Sequence, residues 1–533
     1  SAIHTAVAML DKLPENWHEN EEHHEHVDAV LTHALDELDR HSTHEKSQSP
    51  EALERANLLR RLGIVLDLGK ATFWGVILNR RQINREGLDV FDDLDLQDFF
   101  KKYGAKQQNY EVSQSAAVRA FYDLVFGYEN GDTTKPNFAA SAGLRSIFSI
   151  LLLYKDSVFM KMRAGMGDTI FAPLHKGLVK RGVKFEFFHK VTNMTLEDLG
   201  NGEKAVGTLQ FDVQATLKDG TYDPYVNVEG LDCWPQAPLT DQLVEGAQIL
   251  KGPNGDGDQE WDGNWKGYDL EDFWSSWVDP DTKVLNRGVD FDRVILGIPP
   301  ASHPFICPEL VANNAKWQNM LAKVASVRTQ AMQLWMKSPI YGLGWPYGSS
   351  VVDAFQQPMN TWADMTHLIN RESWPVSASL GSIAYFCGPM KGGIPNPDAK
   401  DVTEHATAEV LNTANTWLQS APSAIWPNAV NADGALEPAE LVRGISTTGT
   451  GTLTGQYWRA NVSPSERYVM SLAGTTKDRL SADGSGLTNL IFAGDWTNNM
   501  FNAGCVEASV MSGMFASNAL AGWPEKSSIQ TYW

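Results

Sequence analysis

The chain has 533 residues, of which 43% are hydrophobic and 20% are charged. This length predicts two or three domains, and this composition excludes an intrinsically disordered chain. The formal net charge is 44 − 65 = −21, which repels phosphate backbones and anionic lipid surfaces, so we expect no nucleic-acid partner.

Cysteine usage and hydropathy bear on the cellular compartment. The four cysteines form no CxxC pair, so neither a disulfide framework nor a zinc site is predicted. This usage is typical of a reducing compartment, and we predict a cytoplasmic protein. No run of about 18 apolar residues occurs, so no membrane span is expected, and the first residues, SAIHTAVAML, show no signal-peptide pattern.

Residues 1–160 are predicted to be mostly helical. HVDAVLTHALDELDRH and SPEALERANLLRRLG carry apolar residues at helical spacing, the second after a cap-like Ser49-Pro50-Glu51 entry. AAVRAFYDLVFGY and GLRSIFSILLLY predict two more helices. Such a block is either a free-standing bundle or a cap over an active site.

The N-terminal run HENEEHHEH raises the question of a metal site. Its histidines alternate with glutamates on a predicted exposed helix edge, at His18, His23, His24 and His26. A solvated, charged edge explains this pattern without a ligand, so no metal site is predicted.

Beyond residue 160 the pattern changes to mixed helix and strand. GDTIFAPLHKGLVKRG predicts a helix that ends at Gly182, followed by a strand over 183–188 and a β-rich stretch. Residues 219–288 are acidic and rich in Gly, Asp and Trp, which indicates a surface insertion. FDRVILGIPP, SVRTQAMQLWM and SLGSIAYFCGP predict strands, and a helix is predicted over 402–418.

The C-terminal stretch NLIFAGDWTNNMFNAGCVEASVMSGMFASNAL predicts a strand over 490–493, a tight turn and a helix. Gly494 permits the turn, and a carboxylate at Asp495 suits ribose or ribityl hydroxyls. A helix from about Asn502 would present unpaired amides to a phosphate or an electron-rich carbonyl. Small side chains recur every four residues, at Gly504, Ala508, Ser512 and Ala516. An ordinary strand–helix unit with a small-residue packing face explains this spacing equally well.

These residues resemble the C-terminal FAD-binding signature of the flavin amine oxidase and phytoene (carotenoid) desaturase superfamily. GDTIFAPLHKGLVKRGVKFEFFHKV resembles a helix–strand segment of that family, and FDRVILGIPPASHPFICPEL resembles its strand that leads back into the substrate domain. The three segments follow the family's order and cover about 161–533. The N-terminal helical block has only general similarity to the family's substrate cap.

The resemblance implies a mixed α/β fold in which an FAD-binding domain is interleaved with a substrate domain. The implied division is a helical block and substrate cap at 1–160, an FAD-domain segment with the acidic insertion at 161–300, a substrate domain at 301–445 and a C-terminal FAD-binding segment at 446–533. FAD is the implied cofactor, with a backbone contact from Val191 to the adenine. The flavin end would be bound by Gly494, Asp495, Trp496, Asn502, Ala503, Gly504, Cys505 and Val506.

Family members begin with a βαβ unit whose GxGxxG fingerprint binds the pyrophosphate, and no credible match occurs in these 533 residues. GMGDTI at 165–170 lacks the third glycine, and GTGTLTG at 449–455 has its last glycine one place late. The unit could be a separate polypeptide (a distinct subunit or a cleavage product), it could have been removed, or the chain could be a degenerate homologue. The C-terminal half-site favours the first explanation, a small companion chain that shares the FAD in a heteromer.

Superfamily members transfer a hydride from a C–N or C–C bond to flavin, and the amine oxidases among them often place a lysine near flavin N5. The resemblance aligns Ala331 with that lysine, which argues against a monoamine-oxidase-like mechanism. Gln330 and Gln333 flank this position and could orient substrate or water, or could be solvent-facing strand residues. In the presumed substrate region Trp335 supplies aromatic surface, and Arg371 could pair with a substrate carboxylate or form a structural salt bridge.

Two functions stay open from the sequence. The first is an FAD-dependent oxidoreductase acting on a small molecule: a hydrophobic or aromatic amine, an amino acid or an unsaturated hydrocarbon. The second is a catalytically silent homologue that serves as a binding or scaffolding subunit. Flavin absorbance in protein purified with its natural partner separates the two.

Overall fold

The computed structural model describes residues 21–43, 49–105, 112–150, 154–155, 160–255, 265–374, 379–442 and 453–529. Within this part of the chain the fold mixes helices and strands, as the sequence predicts. The described strands form a three-stranded and a six-stranded antiparallel sheet, a two-stranded parallel pair and a short hairpin.

The N-terminal region is helical, as predicted. Its described helices are α1 Glu21–Thr43, α2 Pro50–Glu86, α3 Leu96–Lys102, α4 Ala116–Leu124 and α5 Ala140–Phe148. The Ser49 hydroxyl caps α2 by accepting the Ala52 amide at 3.2 Å, and Pro50 occupies a position where its missing N–H costs nothing. The helix ends before Gly87, whose φ of +63° suits a residue without a Cβ.

Helix α2 departs from the expectation that no segment could cross a membrane. The segment Glu51–Phe91 is long and apolar enough to do so by length and composition, with 33% of its most apolar window buried, and it is the one such helix in the described ranges. Several of its apolar side chains are exposed, including Leu58, Val65 and Leu78. The prediction considered only uninterrupted runs of apolar residues. It therefore missed this helix, whose apolar stretch contains charged residues. A cytoplasmic location stays a prediction.

The helical region is joined to the C-terminal part of the chain through Asp92. This carboxylate is buried and accepts hydrogen bonds from the hydroxyls of Ser141, at 2.9 Å, and Thr476. A backbone hydrogen bond joins the same two regions, from the Ala139 amide to the Ser471 carbonyl at 2.8 Å. Residues almost 400 positions apart are therefore packed into one interior.

Between residues 160 and 300 the chain forms strands around a helix α6, Ala172–Val179. The strands are β1 His189–Gly200, β2 Glu203–Val213, β3 Val226–Val228, β4 Leu231–Cys233, β5 Asp281–Asn286 and β6 Val294–Leu296. The strand predicted over 183–188 is wrong: no described strand pairs with this stretch, and the first strand begins at His189. Alternating apolar residues gave the expected pattern, but a strand also needs a neighbour to accept its hydrogen bonds.

The acidic segment 219–288 is more ordered than a surface insertion. It contains the β3–β4 hairpin and a short helix α7, Gly246–Lys251, and it has a small core around Leu243 and Ile249. Its last strand, β5, pairs with β2 and so completes the three-stranded sheet in the order β1-β2-β5. The prediction placed this strand in a surface insertion because the whole segment is acidic and rich in Gly, Asp and Trp.

The largest sheet has strands in the order β11-β7-β10-β9-β8, with β12 pairing at the start of β7. Its strands are β7 Ser326–Met336, β8 Val351–Val352, β9 Thr361–Asp364, β10 Ser382–Met390, β11 Tyr457–Asn461 and β12 Tyr468–Val469. The helices before and beside it are α8 His303–Ile306, α9 Pro308–Ala312, α10 Ala315–Lys323 and α11 Val402–Leu418. One face of the sheet packs on α11 through fully buried aromatic rings, Trp362, Phe386 and Trp426.

The last elements are β13 Leu490–Phe492 and α12 Val506–Ala521. Strand β13 pairs in parallel with β6, and both enter a core that holds His303 with no solvent exposure. The His303 Nε2–H donates to the Ile298 carbonyl at 2.9 Å, and its Nδ1 accepts the Trp317 indole N–H at 3.1 Å. Burial lowers the pKa of His303 from 6.5 to about 4, against a smaller opposing effect of the Ile298 carbonyl.

This lowered pKa predicts a pH-dependent loss of stability. The folded protein holds His303 neutral, so its contribution is complete above pH 6.5 and is lost as pH falls toward 4. The loss amounts to about 3 kcal/mol of unfolding free energy. Urea denaturation at neutral pH and at pH 4 measures this loss. In His303→Gln the decrease in unfolding free energy between the two pH values is expected to be smaller by that amount. The wild-type protein is measured alongside as the reference, and equal pH slopes for the two proteins would contradict the prediction.

Candidate functional site

The parallel strands β6 and β13 end side by side at a tight turn. Gly494 follows β13 with φ of +138°, a conformation that residues with a Cβ rarely adopt. A Cβ added there would lie 2.4 Å from the Trp496 indole nitrogen, so the turn requires glycine on steric grounds as well. The expected strand and turn are therefore present.

Helix α12 packs closely against this turn through small side chains. Ala508, Ser512 and Ala516 of the four-residue repeat are buried, which confirms the predicted packing face. The Gly494 amide donates to the Ser512 hydroxyl at 2.8 Å, and the Thr497 hydroxyl lies 2.8 Å from the same oxygen. A single buried serine thus fixes the distance between the end of β13 and α12.

The start of α12 differs from the prediction. The helix begins at Val506, whereas a start near Asn502 was expected. The reason is an asparagine turn: the Asn499 side-chain oxygen accepts the amides of Phe501 and Asn502 at 3.0 and 2.9 Å, and Asn502 has φ of +56°. These bonds hold the connection out of the helical conformation.

The N-terminus of α12 is open. Cys505 is extended and its side chain makes no capping hydrogen bond, while Val506 is 48% exposed. The amides of the first helical turn carry partial positive charge, and the Ala508 amide among them faces the Cys505 sulfur. Burial raises the pKa of the Cys505 thiol to about 12, so this sulfur stays protonated and adds no negative charge there.

Asp495 lies beside a buried arginine. Arg479 is 3% exposed and donates to the Asp495 carbonyl at 2.7 Å and to the Ser471 hydroxyl at 3.0 Å. Burial raises the pKa of the Asp495 carboxyl, and the Arg479 charge opposes this shift. The Trp496 ring is buried in the core against Phe492, with its indole nitrogen side lying against Gly494 of the turn.

Tyr468 connects this turn to the six-stranded sheet. Its hydroxyl accepts the Gly504 amide at 3.1 Å and lies 3.1 Å from the Gly504 carbonyl. The same residue pairs with Val327 at the beginning of β7. A Cβ on Gly504 would lie 2.4 Å from the tyrosine ring, so a glycine is needed for this approach.

The sheet presents one polar face, which sequence reasoning missed. Residues directly opposite each other on neighbouring strands share a face, and Gln333 lies between Tyr385 and Tyr457. In the next row Ala331 lies between Cys387 and Arg459. We call these six residues the polar face. The alternation in SIAYFCGP and QYWRAN was the available signal, but only the register shows which residues meet.

The structure separates the four catalytic candidates. Gln333 and Trp335 lie together, because the Trp335 indole donates to the Gln333 side-chain oxygen at 2.9 Å. Gln330 lies on the opposite face, where it is buried and donates to the Pro389 carbonyl at 2.8 Å. Arg371 is exposed and forms no ion pair within the described ranges, so the structural salt bridge is not observed there, and pairing with a substrate carboxylate stays a prediction.

Val191 lies in β1, where its backbone pairs with Phe211 of β2 just before a register shift. Its side chain packs on the same core as β6 and β13. Of the N-terminal histidines, His18 lies outside the described residues, and the His24 ring packs against Trp74. Among the described residues no group of three His, Cys, Asp or Glu side chains could hold a metal ion.

Comparisons with known proteins give only distant similarities. No family model and no curated protein matches the chain. A solved structure of an oxidoreductase from Methanosarcina mazei aligns over 84% of this chain and 71% of its own, with 12% identity and a TM-score of 0.42. A double mutant of putrescine oxidase, made in a redesign of cofactor binding, aligns over 90% of this chain and 78% of its own, with 12% identity and a TM-score of 0.40. Similarities this distant assign no function to the chain, whose own residues have to indicate one.

Removing the Ser512 hydroxyl is expected to destabilise the site. In Ser512→Ala the buried Gly494 amide loses its acceptor, which costs about 1–3 kcal/mol of unfolding free energy. Ser509→Ala, on the exposed side of the same helix, serves as the matched control and should change it by less than about 0.5 kcal/mol. Urea denaturation of the two variants checks the difference; equal effects would show that the Ser512 bond does not hold the helix.

Proposed function

We propose that this chain provides the flavin end of an FAD-dependent oxidoreductase. Its substrate would be a hydrophobic or aromatic amine, an amino acid or an unsaturated small molecule, oxidised at a C–N or C–C bond. The observation that carries the proposal is the connection between β13 and α12, where an uncapped helix N-terminus opens beside a glycine turn and a carboxylate. This arrangement suits a large, electron-rich cofactor with hydroxyl groups.

The residues present fit one half of FAD. The open amides near Val506 suit the electron-rich edge of a flavin ring, and their dipole stabilises negative charge that develops there. The carboxylate of Asp495 would accept hydrogen bonds from ribityl hydroxyls; burial raises its pKa, and the Arg479 charge opposes that rise. Bound FAD would supply the hydride acceptor, which no side chain of the protein can replace.

The polar face is the best candidate for the substrate side. Tyr385 and Tyr457 flank Gln333, and burial raises the pKa of both tyrosines, so their hydroxyls remain neutral donors. The Gln333 amide can orient a polar group of a substrate, while the rings exclude water. Tyr468 brings the beginning of β7 to Gly504 and thus links this face to the cofactor turn.

A companion chain carrying a GxGxxG unit would complete the cofactor site. In the described fold β6 and β13 pair only with each other, and the outer edge of β13 is met by the 482–485 loop, where the Phe492 amide donates to the Ala482 carbonyl at 2.8 Å. The outer edge of β6 is left open. Apolar side chains of α12 are exposed nearby at Val506, Val510 and Met514. Phe171, Leu174 and Leu178, around α6, are exposed as well. A strand–helix unit that extends the parallel pair would cover such a surface and bring a pyrophosphate-binding loop to it.

One observation favours the alternative, a catalytically silent binding or scaffolding subunit. The middle of the polar face is occupied by Ala331, whose methyl group can neither accept nor donate a proton. An enzyme of this kind would need its proton transfer from Tyr385, Tyr457 or the substrate itself. A chain that binds flavin without turnover would keep the same cofactor turn.

The visible spectrum of natively purified protein tests the proposal. We expect absorbance bands of oxidised flavin and, on a denaturing gel with intact mass spectrometry, a second chain containing GxGxxG. Anaerobic addition of substrate should bleach the flavin. Colourless protein would refute the oxidoreductase assignment, flavin that no candidate substrate bleaches would support the silent alternative, and a coloured protein without a second chain would refute the companion.

Replacing Asp495 tests the cofactor turn directly. Asp495→Asn should lower the flavin-to-protein absorbance ratio after dialysis, because a hydrogen bond to a charged acceptor becomes a weaker one. The expected loss of affinity is about tenfold or more. Asp398→Asn, at an exposed carboxylate outside the turn, is the matched control. Equal flavin content in both variants would exclude Asp495 from the cofactor site.

A further inference from the structure

The structure contains a second candidate site, away from the cofactor turn. A cavity of about 920 Å³ lies between the 219–288 segment and the edge strand β11 of the six-stranded sheet. None of its lining residues belongs to β13, to the 493–505 turn or to α12. Its volume is that of a pocket for a small organic molecule.

The walls of this cavity are aromatic. Eight aromatic side chains line it, among them Phe187, Tyr222, Trp234, Tyr268 and Trp458. The rings of Phe187 and Tyr222 are in contact, with centroids 5.2 Å apart, which holds this wall in place. Aromatic faces attract organic cations as well as apolar groups.

The polar lining is predominantly acidic. The cavity is lined by four carboxylates, Asp269, Glu271, Asp272 and Glu466, and by two basic side chains, Lys266 and Arg459. Arg459 contacts Glu466 and lies 3.7 Å from Asp269, so its charge is already shared between two carboxylates. Burial raises the pKa of Glu466, with Arg459 opposing the shift.

The remaining acids differ in their surroundings. Asp272 accepts the hydroxyls of Thr403 and Ser463 at 2.8 and 3.1 Å, which joins the insertion to α11 and to the loop after β11. Glu271 is exposed and has no ion pair with a described residue. Neutral hydroxyl donors position Asp272, and the four carboxylates of the lining outnumber its two basic side chains.

A metal ion does not explain this charge. The described carboxylates do not converge into a group of three metal-ligating side chains, here or elsewhere in the described ranges. Aromatic walls also add nothing to binding of a hard divalent cation, which prefers oxygen ligands. An organic cation uses both features, because its apolar groups pack on the rings while its charge faces the acids.

We propose that this cavity is a binding site for an organic ammonium cation, with Glu271 as an electrostatic contact at its mouth. The site is built by the acidic insertion, for which the flavin chemistry gives no role. The site shares Tyr457 and Arg459 with the polar face but no residue with the cofactor turn, so binding of a cation can be measured whether or not the chain proves to be an oxidoreductase.

Calorimetric titration with choline tests this site, with 3,3-dimethylbutan-1-ol as a neutral ligand of the same shape. Natively purified protein should bind choline at least about tenfold more tightly than the alcohol, because only choline carries charge. Higher salt should reduce the ratio of the choline affinity to the alcohol affinity, because salt screens the charge. Neither ligand is expected to change the flavin spectrum, so the result is separate from the test of the oxidoreductase.

Variants locate the binding. Glu271→Gln should weaken choline binding by about two- to fivefold, as for a solvent-accessible charge pair, and Glu271→Lys should weaken it further. Glu437→Gln, at an exposed glutamate outside the cavity, should leave it unchanged. Absence of saturable choline binding, equal affinity for the alcohol, or equal effects of Glu271→Gln and Glu437→Gln would each overturn the proposal.

Discussion

The hydrogen bond from the Gly494 amide to the Ser512 hydroxyl is the contact on which the candidate cofactor site depends. The amide is at the end of a buried strand and has to find an acceptor, and the acceptor is supplied by the facing helix. Only small side chains at Ala508, Ser512 and Ala516 let that helix come close enough. The position of the open amides near Val506 is a consequence of this packing, since it is set by where α12 meets β13.

The six-stranded sheet and the two-stranded parallel pair differ in how their strand edges and faces are covered. The six-stranded antiparallel sheet buries one face on α11 and pairs its central strands on both edges. The parallel pair of β6 and β13 has a core on one face and α12 on the other, where Ile491 packs with Ala516, and the 482–485 loop bonds to the outer edge of β13. The outer edge of β6 is therefore the place where a further strand would add hydrogen bonds.

The sequence predicted the elements that depend on local patterns. The helix Val402–Leu418 has the predicted bounds, and the repeat at Ala508, Ser512 and Ala516 is the packing face that its spacing indicates. Features that depend on distant partners were missed. The stretch 183–188 has strand periodicity but no neighbour, and α12 starts late because Asn499 binds the preceding amides. The polar face could not be predicted, because it arises from the register of three strands separated by more than 50 residues.

Asp92 has a consequence for how the chain is made. Its carboxylate is buried against Ser141 and Thr476, and Thr476 leaves the ribosome several hundred residues later. Until then the helical region holds a charged group without one of its partners and an apolar surface without its cover. The described helices between Glu21 and Phe148 therefore complete their packing only when the segment around residue 476 has been made, and we expect a nascent chain stalled before it to expose that surface to chaperones.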